Sequence, residues 1–218
     1  MNDLAPTEYL DYPSDSIQSF IQPLKLIQDK RKRAVALYYK VRDSFIYDPY
    51  HLDLRPAALI ASKIINNKRA WCVEKAIIMA SCARALDIPA RLGYGIVVNH
   101  IGVEKLTSYL KRPEIVFHGY VELQLNNKWV KVTPAFDRLV CKLSKVPPLE
   151  WDGFNDAMFQ EFVSGNKFME YIHFYGSFDD VPIDLMNAEM KKYYPHLFEE
   201  IYNTKAFSFH HLWSREER

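Results

Sequence analysis

The stretch from residue 66 to residue 89 constrains this chain more than any other. Ala70, Ala76, Ala80, Ala83 and Ala85 are spread along it, and alanine gives up no side-chain entropy in a helix. Asn66 or Asn67 offers a side-chain acceptor for the unpaired N–H groups of a first turn. At the far end Pro89 disfavours helical backbone at Ile88, so the spacing predicts one long helix over 66–86 that stops sharply. Residues 90–99 (ARLGYGIVVN) then alternate in part and finish on an Ile-Val-Val run, which predicts a strand. A helix this apolar must bury its faces, and the nearest surface is the sheet that follows it.

That sheet has a second signature. After Pro113, residues 115–125 (IVFHGYVELQL) and 128–133 (KWVKVT) flank Asn126-Asn127, a pair that tolerates the positive φ of a tight turn. Val121, Leu123 and Leu125 share one strand face; His118, Tyr120, Glu122 and Gln124 share the other. Upstream, residues 12–30 predict a short capped helix broken near Pro23. Ala34, Leu37, Val41 and Phe45 fall at helical spacing over 30–45, with the basic run Lys30 to Arg33 as a solvated face. A short polar helix is expected over 103–111. From Pro147 the chain turns aromatic and acidic, with helix-like stretches over 185–194 and 196–213. The class is α+β: a central helix packed on an antiparallel sheet, with helical N- and C-terminal additions. Residues 1–146 form the core and 147–218 an aromatic-rich extension packed on the same domain, whose segment 193–213 is expected to cap a cleft or to mediate a homodimer.

Charge and cysteines narrow the function. The 28 Lys+Arg balance 27 Asp+Glu, which argues against a nucleic-acid or membrane-surface partner, since either needs a basic excess. The N-terminus lacks the basic and apolar regions of a signal peptide, and no apolar run reaches the ~20 residues of a membrane helix; the expected location is cytoplasmic. Three cysteines, an odd and sparse number, make no disulfide framework. No C-x-x-C or H-x-x-x-H spacing occurs, so neither a metal nor a cofactor is expected. Cys82 reads as a mid-helix packing thiol, and Cys141 (LVCKL) as structural. Cys72 falls in the first turn of the predicted helix, where the free N–H groups favour a thiolate and are expected to depress its pKa. Of the histidines, only His118 sits in mid-strand, directly after the helix–strand unit that carries Cys72.

The run W-C-V-E-K-A-I-I-M-A-S-C-A-R-A-L-D-I-P-A-R-L-G-Y-G, followed by F-H-G-Y-V-E-L-Q-L-N-N-K-W-V-K-V-T-P-A-F-D, resembles the transglutaminase-like superfamily over residues 34–137. There a Cys opens a helix that exits through I-P-A-R, and a hairpin supplies a His and an Asp. The later stretches P-P-L-E-W-D-G-F-N-D-A-M-F and M-E-Y-I-H-F-Y-G-S-F-D-D-V-P-I-D resemble one bacterial subgroup of it. The resemblance implies a papain-like cysteine-protease fold, with Cys72 as nucleophile and His118 as general base in acyl transfer.

Two positions depart from the pattern. The Asp expected after the hairpin is replaced by Thr133, with Asp137 four residues further on, so Asp137 and Thr133 are the candidates for orienting the imidazole. Ala70 stands where many relatives have Gly. Trp71, Tyr47, Glu122 and His100 are the candidates for the substrate or oxyanion site. The implied reaction is hydrolysis of an amide or peptide, ahead of transamidation, on a peptide, protein or small amide substrate. Thr133 supports the alternative, a catalytically inactive binding or scaffold protein that keeps the fold.

Overall fold

A computed structural model describes residues 3–50, 52–99, 104–158 and 169–199. The first half holds α1 (Asp15–Ile21), a 3-10 turn (Gln22–Leu26), α2 (Lys30–Ser44), β1 (Ile46–Tyr47), α3 (Ala61–Ile64), β2 (Arg69–Ala70) and α4 (Cys72–Ala85). The second holds β3 (Ala90–Asn99), α5 (Glu104–Leu110), β4 (Glu114–Leu125), β5 (Lys128–Val132), α6 (Arg138–Leu143), β6 (Met169–Phe178), α7 (Ile183–Tyr193) and α8 (Pro195–Glu199). β3 to β6 make a four-stranded antiparallel sheet in the order β5-β4-β3-β6. This is the expected α+β arrangement. α4 is buried from Cys72 to Arg84 and lies against β4, where Gly119 allows close approach: a Cβ there would stand 3.0 Å from the Cys72 carbonyl oxygen and 3.2 Å from Ala76 Cβ.

The central helix is shorter than its alanines predict. It begins at Cys72, not at Asn66, because residues 68–70 are committed to strand pairing. Ile46 donates its N–H to the Lys68 carbonyl and Asp48 to that of Ala70, in the parallel β1–β2 pair. Glu74 then closes the new N-terminus by accepting the Trp71 N–H at 3.1 Å. The shift of start moves Cys72 to the first helical residue. At the other end Asp87 takes a φ of 58°, and Ile88 donates back to the Ala83 carbonyl at 3.0 Å, a left-handed stop set just before Pro89. The β4–β5 hairpin turns on Asn126 and Asn127, with φ of 51° and 63°, as the Asn pair predicts.

In the C-terminal stretch α7 falls where a helix is expected over 185–194, and β6, a strand not expected from the sequence, pairs with β3 and so completes the main sheet. Tyr38 and the wholly buried Arg42 tie the preceding loop to α2, the phenol and the guanidinium both donating to the Leu149 carbonyl at 2.8 and 2.7 Å. Most of the 196–213 stretch lies outside the described residues, as does His100. Among the described residues no helix is long and apolar enough to cross a membrane.

Candidate functional site

Cys72 sits where α4 meets the sheet. As the first residue of a helix it brings two orphan N–H groups with it, its own and that of Val73, and both favour a thiolate at its sulfur. The Gly119 N–H on β4 acts in the same direction. The Tyr47 hydroxyl lies against the same sulfur, carried there by the β1–β2 pair that also displaced the helix start. Despite these donors the thiol pKa is raised, to about 12, because burial penalises the thiolate more than they favour it. This corrects the expectation of a depressed value: a helix terminus activates a cysteine only while the thiolate keeps some solvation or a counter-charge.

A narrow cleft, with about 30 Å³ of space open to water-sized molecules, reaches Cys72. Its walls come from five places: Tyr47, Pro49 and Leu52; Trp71; Leu106 and Leu110 on α5; Ile115 and Val116 on β4; and Met190 with Tyr194 at α7. Among the described residues no charged side chain lines it. Trp71 is 4% exposed, and its indole N–H has no hydrogen-bond partner among the described residues.

His118 lies on β4 beside Gly119 and is 1% exposed. Its Nδ1 is 2.7 Å from the Tyr171 hydroxyl, whose ring stands edge-on at 5.5 Å and 82°; Phe136 flanks it at 6.3 Å. Its Nε2 has no hydrogen-bond partner among the described residues. Burial lowers the imidazole pKa to about 3, so at neutral pH the ring is uncharged. Cys72 and His118 therefore rest as a neutral thiol and a neutral imidazole; Gly119, the residue after His118 on β4, packs on the Cys72 backbone, and His118 Nε2 makes no hydrogen bond to the sulfur.

The remaining candidates fall into place around this pair. Thr133 donates its hydroxyl to the Gly119 carbonyl at 3.2 Å. Asp137 makes no hydrogen bond to the imidazole: one carboxylate oxygen caps α6 through the N–H groups of Leu139 and Val140, at 2.8 and 3.1 Å. The other accepts the Tyr47 N–H at 2.6 Å. Glu122 pairs with Lys131 at 3.9 Å on the outer sheet face. Cys82 and Cys141 are buried core thiols in no disulfide, and Cys141 Sγ donates to the Phe136 carbonyl at 3.8 Å. Among the described residues no group of three or more His, Cys, Asp or Glu side chains gathers to hold a metal.

Tyr171 is the residue that the sequence does not single out. A signal for it exists in another strand: Gly93 and Gly95 in R-L-G-Y-G leave one face of β3 bare. A Cβ at Gly95 would stand 2.7 Å from Tyr171 Cδ1, and one at Gly93 2.1 Å from Tyr120 Cε2. Two glycines at strand spacing predict a close approach of something large from a neighbouring strand.

Two comparisons bear on this arrangement. The family model described as the transglutaminase-like superfamily matches residues 18–134. Among solved structures, the chain is similar to a protein from Cytophaga hutchinsonii named a "putative cysteine protease", with 19% identity and a TM-score of 0.47. That match covers 65% of this chain and 43% of the other, so this chain spans less than half the length of that protein. No curated protein matches the chain.

Proposed function

The chain belongs to the transglutaminase-like superfamily, and from that premise we propose that it is a cysteine-dependent acyl-transfer enzyme acting on an amide or peptide bond. The observation that carries the reading is the setting of Cys72: a buried thiol at the floor of an apolar cleft, ringed by N–H donors, with the unpartnered Nε2 of His118 on the adjoining strand.

The chemistry follows from the neutral resting state. His118 Nε2 takes the Cys72 proton as the sulfur attacks the carbonyl carbon, so the ion pair forms only with the new bond. The carbonyl oxygen becomes an oxyanion, for which the Cys72 N–H and the unpaired Trp71 indole N–H are the donors at hand. Collapse breaks the C–N bond, and His118 returns its proton to the departing amine. Water, activated by the same Nε2, then hydrolyses the thioester. An amine in place of water gives transamidation; hydrolysis is favoured because it needs only water, whereas transamidation needs a site that admits a second amine. The closed walls also favour an acyl portion with an apolar side chain over a charged one.

Alkylation of the folded protein with iodoacetamide at neutral pH, followed by peptide mapping, tests the reading. Cys72 is expected to react ahead of Cys82 and Cys141, and to slow markedly in His118→Ala. Three cysteines reacting alike in both proteins would leave a fold that binds without acylating.

A further inference from the structure

Resting on that reading of His118, we propose that Tyr194 is a positioning residue: its hydroxyl, reaching from the end of α7, clamps a β-bulge in β4 that sets the place of the imidazole. The register shows the bulge. Gly95 and Val97 stand two residues apart on β3, yet they pair with His118 and Ile115, which stand three apart on β4. Val116 and Phe117 therefore oppose the single residue Ile96, the count that defines a bulge. Phe117 carries the kink, with a φ of 61°. A non-glycine residue keeps that left-handed conformation only where its surroundings over-determine it.

The surroundings do so here. The Phe117 ring is wholly buried, stacked on Tyr175 at 4.7 Å and packed beside Tyr94 at 5.1 Å. On the backbone the Tyr194 hydroxyl spans the bulge: it accepts the Val116 N–H at 2.9 Å and donates to the Glu114 carbonyl at 2.7 Å. Both directions are fixed, because an amide N–H only donates, a carbonyl oxygen only accepts, and a phenol can do each. The single hydrogen of Val116 is thus given to the phenol and not to β3. An inserted residue also reverses the alternation of side chains along a strand. Ile115 and Val116 show this, since both line the cleft although they are adjacent. His118, directly after Phe117, is the first residue back in register with β3, so its place on the sheet follows from the bulge that Tyr194 holds.

Tyr194→Phe keeps the ring in the cleft wall and removes only the clamp. Tyr175→Phe is the control: it breaks a different phenol tie to α7, at 2.8 Å to Glu189, and leaves the bulge bonds in place. NMR on the full chain is expected to give wild-type Phe117 the Cα and Cβ shifts of left-handed backbone. Tyr194→Phe is expected to move the Val116 amide proton upfield and to displace the imidazole nitrogen resonances of His118, assigned with His118→Gln; Tyr175→Phe is expected to do neither. Iodoacetamide is expected to alkylate Cys72 of Tyr194→Phe at least ~10-fold more slowly, since a misplacement of about 1 Å can cost ~100-fold. Tyr194→Phe added to His118→Ala is expected to slow it no further. Extended-strand shifts at Phe117 overturn the clamp, as do His118 resonances unmoved by Tyr194→Phe. Equal slowing by Tyr175→Phe, or slowing by Tyr194→Phe that persists in His118→Ala, overturns it too. Resonances that move as expected while Cys72 reactivity ignores His118→Ala uphold the clamp and overturn acyl transfer instead.

Discussion

Replacing Asp137 with alanine separates a structural carboxylate from a catalytic one. In the structure its oxygens accept the N–H groups of Leu139, Val140 and Tyr47. Loss of a helix N-cap costs about 1 kcal/mol. The Tyr47 N–H, bonded at 2.6 Å, loses its acceptor in a largely buried setting, for roughly 1–3 kcal/mol more. The sum, roughly 2–4 kcal/mol, corresponds to a fall in melting temperature of roughly 5–15 °C for a chain of this size. Asp137→Asn keeps an oxygen for the cap and serves there nearly as well, so it should lose about half as much. Circular-dichroism melts measure both. At a temperature where all the proteins are folded, Cys72 of Asp137→Asn is expected to alkylate at the wild-type rate. Asp137→Ala melting with wild type, or Asp137→Asn slowing Cys72 as far as His118→Ala does, would refute the reasoning, because the carboxylate would then be acting on the imidazole.

Two further perturbations follow from the same contacts. His118 has a folded pKa near 3 against 6.5 for the free side chain; below pH 6.5 the unfolded chain binds a proton that the folded chain does not. Its contribution is therefore present above pH 6.5 and lost as pH falls toward 3, at up to about 1.4 kcal/mol per pH unit. Urea melts of wild type and His118→Gln from pH 7 to 4 should show the wild type losing stability faster; parallel slopes would contradict a buried neutral ring. At Gly93, an alanine Cβ would stand 2.1 Å from Tyr120 Cε2, so Gly93→Ala should cost ~1–3 kcal/mol by overpacking. Adding Tyr120→Leu should recover part of it, and strict additivity of the two changes would show that the ring is not the obstacle.

Much of the framework is legible in residue order because local rules and tertiary packing agree there. Pro89 stops the central helix, Asn126-Asn127 makes the hairpin, and the face bearing Val121, Leu123 and Leu125 is buried against the helix. The errors have physical causes. The helix start moved to Cys72 because strand pairing by Lys68 and Ala70 outcompetes an Asn cap, and a two-residue parallel pair leaves no periodic trace. β6 (MEYIHFYGSF) carries large side chains on both faces, with Ile172 and Phe174 exposed, so it lacks the alternation that identifies a strand. Without that alternation nothing in the sequence points to Tyr171. The chemistry of Cys72 departs from expectation for a different reason. Its place at a helix terminus is a local property, whereas the burial that raises its pKa comes from α5, β4 and α7 closing over it.

The most direct test of the central claim is the covalent intermediate. The full chain is incubated briefly with an activated ester of an N-acylated apolar amino acid, quenched in acid and measured by intact-protein mass spectrometry with peptide mapping. The account predicts one acyl group, on Cys72, absent in Cys72→Ala and strongly reduced in His118→Ala. Acylation spread over Cys82 and Cys141, or a Cys72 that stays unmodified while the ester is turned over elsewhere, would contradict it.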